Sequence, residues 1–153
     1  MLNKPLVKLA IVGSRNITNK EIIYKLCDHA ESIFGEPDII ISGGARGVDS
    51  IAQQYYEEKF KDLLNVDGED LYAEKDIKIF LPDWSIGKYA GYERNKYIVK
   101  EATHCLAIWD GESKGTLNTI FLCKKFKTPI IIATVKNNEL INTEIINETK
   151  TTD

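Results

Sequence analysis

Hydrophobic and polar positions follow two rhythms along this chain. Short strand-like apolar runs occupy residues 7–12 (Val-Lys-Leu-Ala-Ile-Val), 38–41, 77–81, 105–109 and 129–134. Between them, apolar residues recur three and four apart. Ile22, Ile23, Leu26, Ala30 and Ile33 do so ahead of Gly35, and Val48, Ile51, Ala52, Tyr55 and Phe60 do so across residues 47–64. Ile98 and Val99 belong to a third such segment over 92–102, and a fourth spans 116–126. The first rhythm predicts buried strands and the second amphipathic helices. Punctuation agrees with these bounds. Gly13 closes the first strand, Gly35 suits a helix C′ position, and Pro37 and Pro82 flank strands two and three. Thr18-Asn-Lys-Glu21 has capping-box spacing, which predicts Thr18 as N-cap with Glu21 reaching back to it.

Strands alternating with helices predict an α/β fold, a Rossmann-like doubly wound sheet of about five parallel strands with helices on both faces. The pattern defines one domain over residues 1–135. Residues 136–153 are polar and rich in Asn, Thr and Glu. They are expected to form a tail that is partly docked through Ile141, Ile145 and Ile146 and otherwise flexible. The acidic stretch 67–76 reads as a solvated loop inserted before strand three, with a lid or an oligomer contact as its alternative.

Length and composition fit this picture. At 153 residues and 17.3 kDa the chain suits a single domain. With 43% hydrophobic residues it can bury a core without disulfides or metal. The net charge of −3 argues against strong non-specific nucleic-acid binding. The basic cluster Lys124-Lys125-Phe126-Lys127 falls at a helix C-terminus, where cations are favourable anyway. No apolar run approaches the about 20 residues that span a bilayer. The first residues carry no signal-peptide pattern, so a cytoplasmic protein without membrane contact is expected. Cys27, Cys105 and Cys123 are odd in number and lack C-x-x-C spacing, which fits a reducing compartment rather than a zinc or disulfide framework. His29 and His104 lack metal-ligand spacing and read as helix-face or strand-end residues. No metal is expected, and no cofactor is required.

The candidate chemistry lies in the segments that follow the strands. These are Gly13-Ser14-Arg15, then Ser42-Gly43-Gly44-Ala45-Arg46-Gly47-Val48-Asp49, then Asp83-Trp84 with 87–95, and finally Asp110-Gly111-Glu112-Ser113-Lys114-Gly115-Thr116. In a doubly wound sheet all four share one edge, where ligands bind at the reversal of strand order. Glycines allow close backbone approach, helix N-termini present free N–H groups, and Arg offers a planar fork. Together they predict an anion site suited to a phosphorylated small molecule. Taken singly, each loop also reads as an ordinary turn. Neither G-x-G-x-x-G nor the Walker pattern is present, which disfavours NAD(P) in the standard mode and ATP hydrolysis. Trp84 and Trp109 stand where strands three and four reach this edge, as a base-stacking wall or as rim aromatics. Asp49, in the first turn of helix two, complements the helix dipole, accepts a ribose hydroxyl or holds Arg46.

The ordered series Gly-Ser-Arg, Ser-Gly-Gly-Ala-Arg-Gly-Val-Asp, Trp, Gly-Lys-x-Ala-Gly-x-x-Arg-Asn and Trp-Asp-Gly-x-Ser-x-Gly-Thr resembles the YspA-type branch of the SLOG superfamily. The DNA-processing protein DprA and the LOG-type nucleotide hydrolases are more distantly similar. The resemblance spans about residues 6–134. It implies strand order 3-2-1-4-5, a nucleotide or nucleotide-derived ligand, and a homodimer or higher homo-oligomer. By motif position it implies ligand contacts from Gly13, Ser14 and Arg15; from Ser42, Gly43, Gly44, Arg46 and Asp49; from Arg94 and Asn95; and from Trp109, Asp110, Ser113, Gly115 and Thr116. In LOG-type hydrolases the last loop runs into Gly-Thr-x-x-Glu, whose Glu is catalytic. Here Thr119 takes that place, and a hydroxyl cannot act as a carboxylate base.

Three functions follow as expectations. The first is a binding module, a sensor or signal-sequestering protein for an ADP-ribose-type molecule or a cyclic nucleotide. It matches the resemblance to sensors of bacterial conflict systems and a place in bacterial or phage defence or anti-defence. The second is a nucleotide N-glycosidase or phosphoribohydrolase using a displaced carboxylate, Glu93 or Asp49. The third is single-stranded DNA binding in the manner of DprA, which the acidic balance disfavours.

Overall fold

The computed structural model describes residues 5–64 and 75–147. Strand β1 (Lys8–Gly13) leads to helix α1 (Lys20–Phe34), β2 (Ile39–Ser42), α2 (Val48–Leu64) and β3 (Asp76–Ile79). A 3-10 turn at Trp84–Ile86 precedes α3 (Ala90–Glu101). Then come β4 (His104–Trp109), α4 (Lys114–Phe126), β5 (Ile130–Lys136) and β6 (Glu139–Ile146). The sheet order is β3-β2-β1-β4-β5-β6, with β1 to β5 parallel and β6 antiparallel to β5.

Successive strand residues point to opposite faces, so the two sides of the sheet bury different sets. Leu9 and Ile11 face Ile23, Leu26 and Ala30 of α1 and Val48, Ala52 and Tyr56 of α2. Ala10 and Val12 face Ile98 and Val99 of α3 and Ile120 and Cys123 of α4. Burial on both faces is why β1, β4 and β5 read as nearly continuous apolar runs. The largest fully buried side chain is Tyr56, whose hydroxyl donates to Glu31 Oε2 at 2.8 Å. Glu31 is in turn paired with Lys59 at 2.7 Å. Cys27, Cys105 and Cys123 are buried free thiols, and burial pushes the Cys27 thiol well above its ordinary range. His29 lies on an exposed face of α1, and His104 opens β4.

Three expectations change. The sheet has six strands rather than five, because residues 139–146 of the expected tail form β6. Asn137 and Asn138 both take positive φ, 52° and 57°, between paired Lys136 and Glu139. That is the backbone of a two-residue type I′ hairpin. The N-cap of α1 is Asn19, whose side chain accepts from Ile22 N–H at 3.2 Å, so the capping box at Thr18 does not form. Glu21 instead pairs with Lys25. Helix α3 starts at Ala90, two residues before the predicted bound. Of the acidic stretch, residues 67–74 lie outside the described residues, and Asp76 opens β3. No described helix is long and apolar enough to cross a membrane.

Candidate functional site

From β1 the chain crosses to β2 on one side and, later, to β4 on the other, so the strand order reverses beside β1. The loops after these strands are stitched together there. Ser14 N–H donates to Ile108 O at 3.0 Å, and Ser14 Oγ accepts from Asp110 N–H at 3.0 Å. Asp110 Oδ1 accepts the N–H groups of Glu112 at 2.9 Å and Ser113 at 2.7 Å, which curls the β4 loop into α4. Burial alone would raise the Asp110 carboxyl, but these N–H groups together with the Ser14 and Asn16 side chains outweigh it and hold it below its ordinary value. Ser113 is the N-cap of α4. Gly47, at φ +78°, lets the second loop press on the first. A Cβ there would lie 2.5 Å from the Arg15 carbonyl oxygen.

A cavity of about 490 Å³ opens above these loops. Of the residues expected at the site, Gly13, Ser14, Arg15, Gly43, Asp49, Arg94, Asn95, Asp110, Ser113, Gly115 and Thr116 line it. Ser42, Gly44, Arg46, Trp109 and Glu93 do not. Ser42 Oγ turns back to accept Gly44 N–H at 3.0 Å. Gly44 packs towards Leu81 and Ile79. Arg46 is exposed. The Trp109 indole N–H donates to Ser113 O at 3.0 Å, and Glu93 pairs with Lys96 on an exposed face of α3.

Asn16, Ala45, Lys88, Gly91, Tyr92 and Ile98 also line the cavity, as do Trp84 and Thr119. Gly91, Arg94, Asn95 and Ile98 have i, i+3, i+4, i+7 spacing, so one helix face carries all four. That spacing was available in the sequence. Trp84 is brought over the cavity by its 3-10 turn, which Asp83 caps by accepting Ser85 N–H at 3.1 Å.

Charge is unevenly committed. Arg94 Nη1 donates to Gly43 O at 2.7 Å and Phe80 O at 3.3 Å, and Nε donates to Asn95 Oδ1 at 3.0 Å. Burial lowers its pKa, with Asp49 opposing and Arg15 adding to that effect. Arg15 is exposed and makes no hydrogen bond or ion pair among the described residues. Lys88 stands over the Tyr89 ring at 5.2 Å. Asp49, only 5% exposed, is pushed up to about 6 by burial. The Ala45 N–H, Arg94, and the amides of Gly13 and Gly43 restrain that rise.

The cavity therefore offers an unengaged guanidinium, the N-terminus of α4, and an aromatic wall of Trp84 and Tyr92. Such a combination accommodates an anion joined to a flat ring. Thr119 is buried, and its hydroxyl donates to Gly115 O at 3.4 Å. Among the described residues, Asp49 is thus the one buried carboxylate lining the cavity. The basic cluster at 124–127 ends α4, at the opposite end of the helix from the cavity.

Residues 1–71 match the family described as DNA recombination-mediator protein A. The matched stretch contains β1 to α2 and both loops that press together at Gly47. Over that stretch the match supports a link to the superfamily of DprA and SLOG proteins. No curated protein matches the chain.

Proposed function

We propose that this protein binds a nucleotide or nucleotide-derived signal in the cavity at the C-terminal edge of its sheet, as a sensor or sequestering protein, without turning it over. Within the superfamily we place it with the YspA-type branch, on the ordered motifs from Gly13 to Thr116. The observation that carries this reading is one cavity shared by the unengaged Arg15, the start of α4 at Ser113 to Thr116, and the aromatic pair Trp84 and Tyr92. Phosphate suits the first two and a base the third. An ADP-ribose-type molecule or a cyclic nucleotide has both parts. Thr119 supports binding over hydrolysis, because the position carries no carboxylate. If hydrolysis does occur, Asp49 is its candidate acid, since Glu93 lies outside the cavity.

We further propose a cytoplasmic homodimer or higher oligomer. Phe121 and Leu117 of α4, 67% and 46% exposed, offer an apolar contact. Light scattering tests this.

The family match favours a second reading, single-stranded DNA binding. One experiment separates the readings. The purified protein is incubated with NAD, ADP-ribose, its cyclic isomers and nucleoside monophosphates, then separated and denatured for mass spectrometry of bound and free species. Labelled single-stranded DNA is titrated in parallel at low salt. An intact retained ligand is the expected result. Release of a free base plus a sugar phosphate would show an enzyme. Tight DNA binding with a steep salt dependence and no retained nucleotide would favour the DprA-like reading.

A further inference from the structure

Beneath the cavity lies an acid with one carboxylate oxygen unpaired among the described residues, although the amides of Gly13 and Gly43 stand near it. Asp49 Oδ2 accepts Ala45 N–H at 3.3 Å, whereas Oδ1 is shielded from water and has no hydrogen-bond partner among the described residues. The Arg94 charge offsets part of the cost, but no nearby cation donates a hydrogen bond to Oδ1 among the described residues. Arg94 donates to Gly43, Phe80 and Asn95, and Arg46 makes no ion pair among the described residues. Buried polar atoms are almost always satisfied, so an unpaired one beside a cavity points to a donor supplied by whatever enters. A phosphate oxygen brings no proton and repels a carboxylate. A hydroxyl can donate to it, once a small rotation of the carboxylate turns Oδ1 to the cavity.

Topology says which hydroxyl. The strand order β3-β2-β1-β4 sets the loops side by side along the edge. Trp84 follows β3, Asp49 follows β2, Arg15 follows β1, and Thr116 follows β4. The edge therefore presents an aromatic ring, a carboxylate, a cation and a helix N-terminus, in that order. Base, sugar and phosphate follow one another in the same order in a nucleotide. Strands lie about 4.8 Å apart, so the four loops cover about 14 Å, the scale of a nucleoside mono- or diphosphate.

We infer that Asp49 accepts a hydrogen bond from a ribose hydroxyl of the bound ligand, and that the cavity thereby selects ribonucleotide-derived over deoxyribonucleotide ligands. The inference rests on the nucleotide reading above and narrows it, since it sets the site against DNA.

Calorimetric titration with ADP-ribose and the four ribonucleoside 5′-monophosphates, each beside its 2′-deoxy and 3′-deoxy counterpart, tests it in the wild-type protein. The best ribonucleotide is expected to bind about tenfold or more tighter than at least one of its deoxy forms, the scale of one hydrogen bond to a charged group. Asp49→Asn keeps the size of the side chain. It is expected to cut that ratio below about threefold, chiefly by weakening the ribonucleotide. Equal binding of ribo and both deoxy forms, or undiminished selectivity in Asp49→Asn, overturns this assignment and leaves nucleotide binding standing. If none of these probes binds and the mass-spectrometric panel also retains no nucleotide, nucleotide binding itself falls and the assignment falls with it. The wild-type comparison needs no variant to fold.

Discussion

Arg94 Nη1 donates to the Gly43 carbonyl at 2.7 Å, which fastens α3 to the loop after β2. A Cβ at Gly43 would lie 2.5 Å from that nitrogen, so the contact needs glycine. Arg94 is thereby a tie between elements, whereas Arg15 on the neighbouring loop is unengaged. The two arginines should separate experimentally. Arg94→Ala should cost about 1.5–3 kcal/mol of stability, the loss of hydrogen bonds from a half-buried cation. Arg15→Ala should change stability by less than about 0.5 kcal/mol and weaken anionic ligands about tenfold. Thermal melts alongside ligand titrations decide this. A large drop in the melting temperature for Arg15→Ala would contradict the division of roles.

The Asp49 carboxyl, ordinarily near 3.8, is raised to about 6 in the folded protein, chiefly by burial. The folded state then holds this proton more tightly than the unfolded chain. Between these two values stability falls as pH rises, and above about pH 6 the full cost of the buried charge is present. That cost is on the order of 3 kcal/mol. Asp49→Asn should therefore be more stable than wild type at pH 8, with the difference shrinking as pH falls to 4. Denaturant melts of both proteins at several pH values provide the check. Comparing the pair cancels carboxylates of opposite sign such as Glu101, whose bonds with Lys78 and Lys8 lower its pKa and whose contribution is lost towards acid pH. A difference independent of pH would remove Asp49 as a strained group.

The parts of this fold that were legible are those with burial on both faces. β1, β4 and β5 announce themselves as apolar runs, and Gly13 and Gly35 mark where two elements stop. β6 was not legible, because seven of its eight residues are exposed and no core face imprints a period on it. Its signal is the Asn137-Asn138 pair. The cap of α1 was expected at Thr18, although Asn19 beside it is at least as good an N-cap residue. The structure decides through the hairpin, where Asn138 Oδ1 accepts Thr18 N–H at 3.4 Å and Asn138 O accepts from Asn19 Nδ2 at 3.3 Å. At the site, the loop glycines were legible as special, and the structure adds a second reason: Gly43 and Gly47 make room for Arg94 and for the Arg15 backbone. Which arginine is engaged depends on tertiary partners that no local pattern encodes.

The two tryptophans make a second experimental contrast. Trp84 lines the cavity and is 60% exposed, while Trp109 is held by its bond to Ser113 O. A base stacked on Trp84 should quench its fluorescence. Trp84→Phe should remove most of the ligand-induced change, and Trp109→Phe should preserve it. Trp84→Ala should weaken nucleotide binding by about 1–3 kcal/mol, the range for base–aromatic stacking. An unchanged quench in Trp84→Phe would place the base elsewhere.

β6 covers the edge of β5, whose Ile130, Ile131, Ala133 and Val135 are fully buried. Removing residues 137–153 would leave a seven-residue, strongly apolar strand with unpaired N–H and C=O groups, a template for pairing with other chains. The shortened protein should melt at lower temperature and self-associate, as seen by calorimetry and light scattering. Substitutions in the turn test the same idea more gently. Asn138→Gly should be tolerated, because its φ of 57° suits glycine, whereas Asn138→Val places a β-branched residue in the left-handed region. The valine variant should lose on the order of 1–3 kcal/mol and shift towards aggregation. If the deletion left a monomer with an unchanged melt, β6 would be an appendage rather than a structural edge of the sheet.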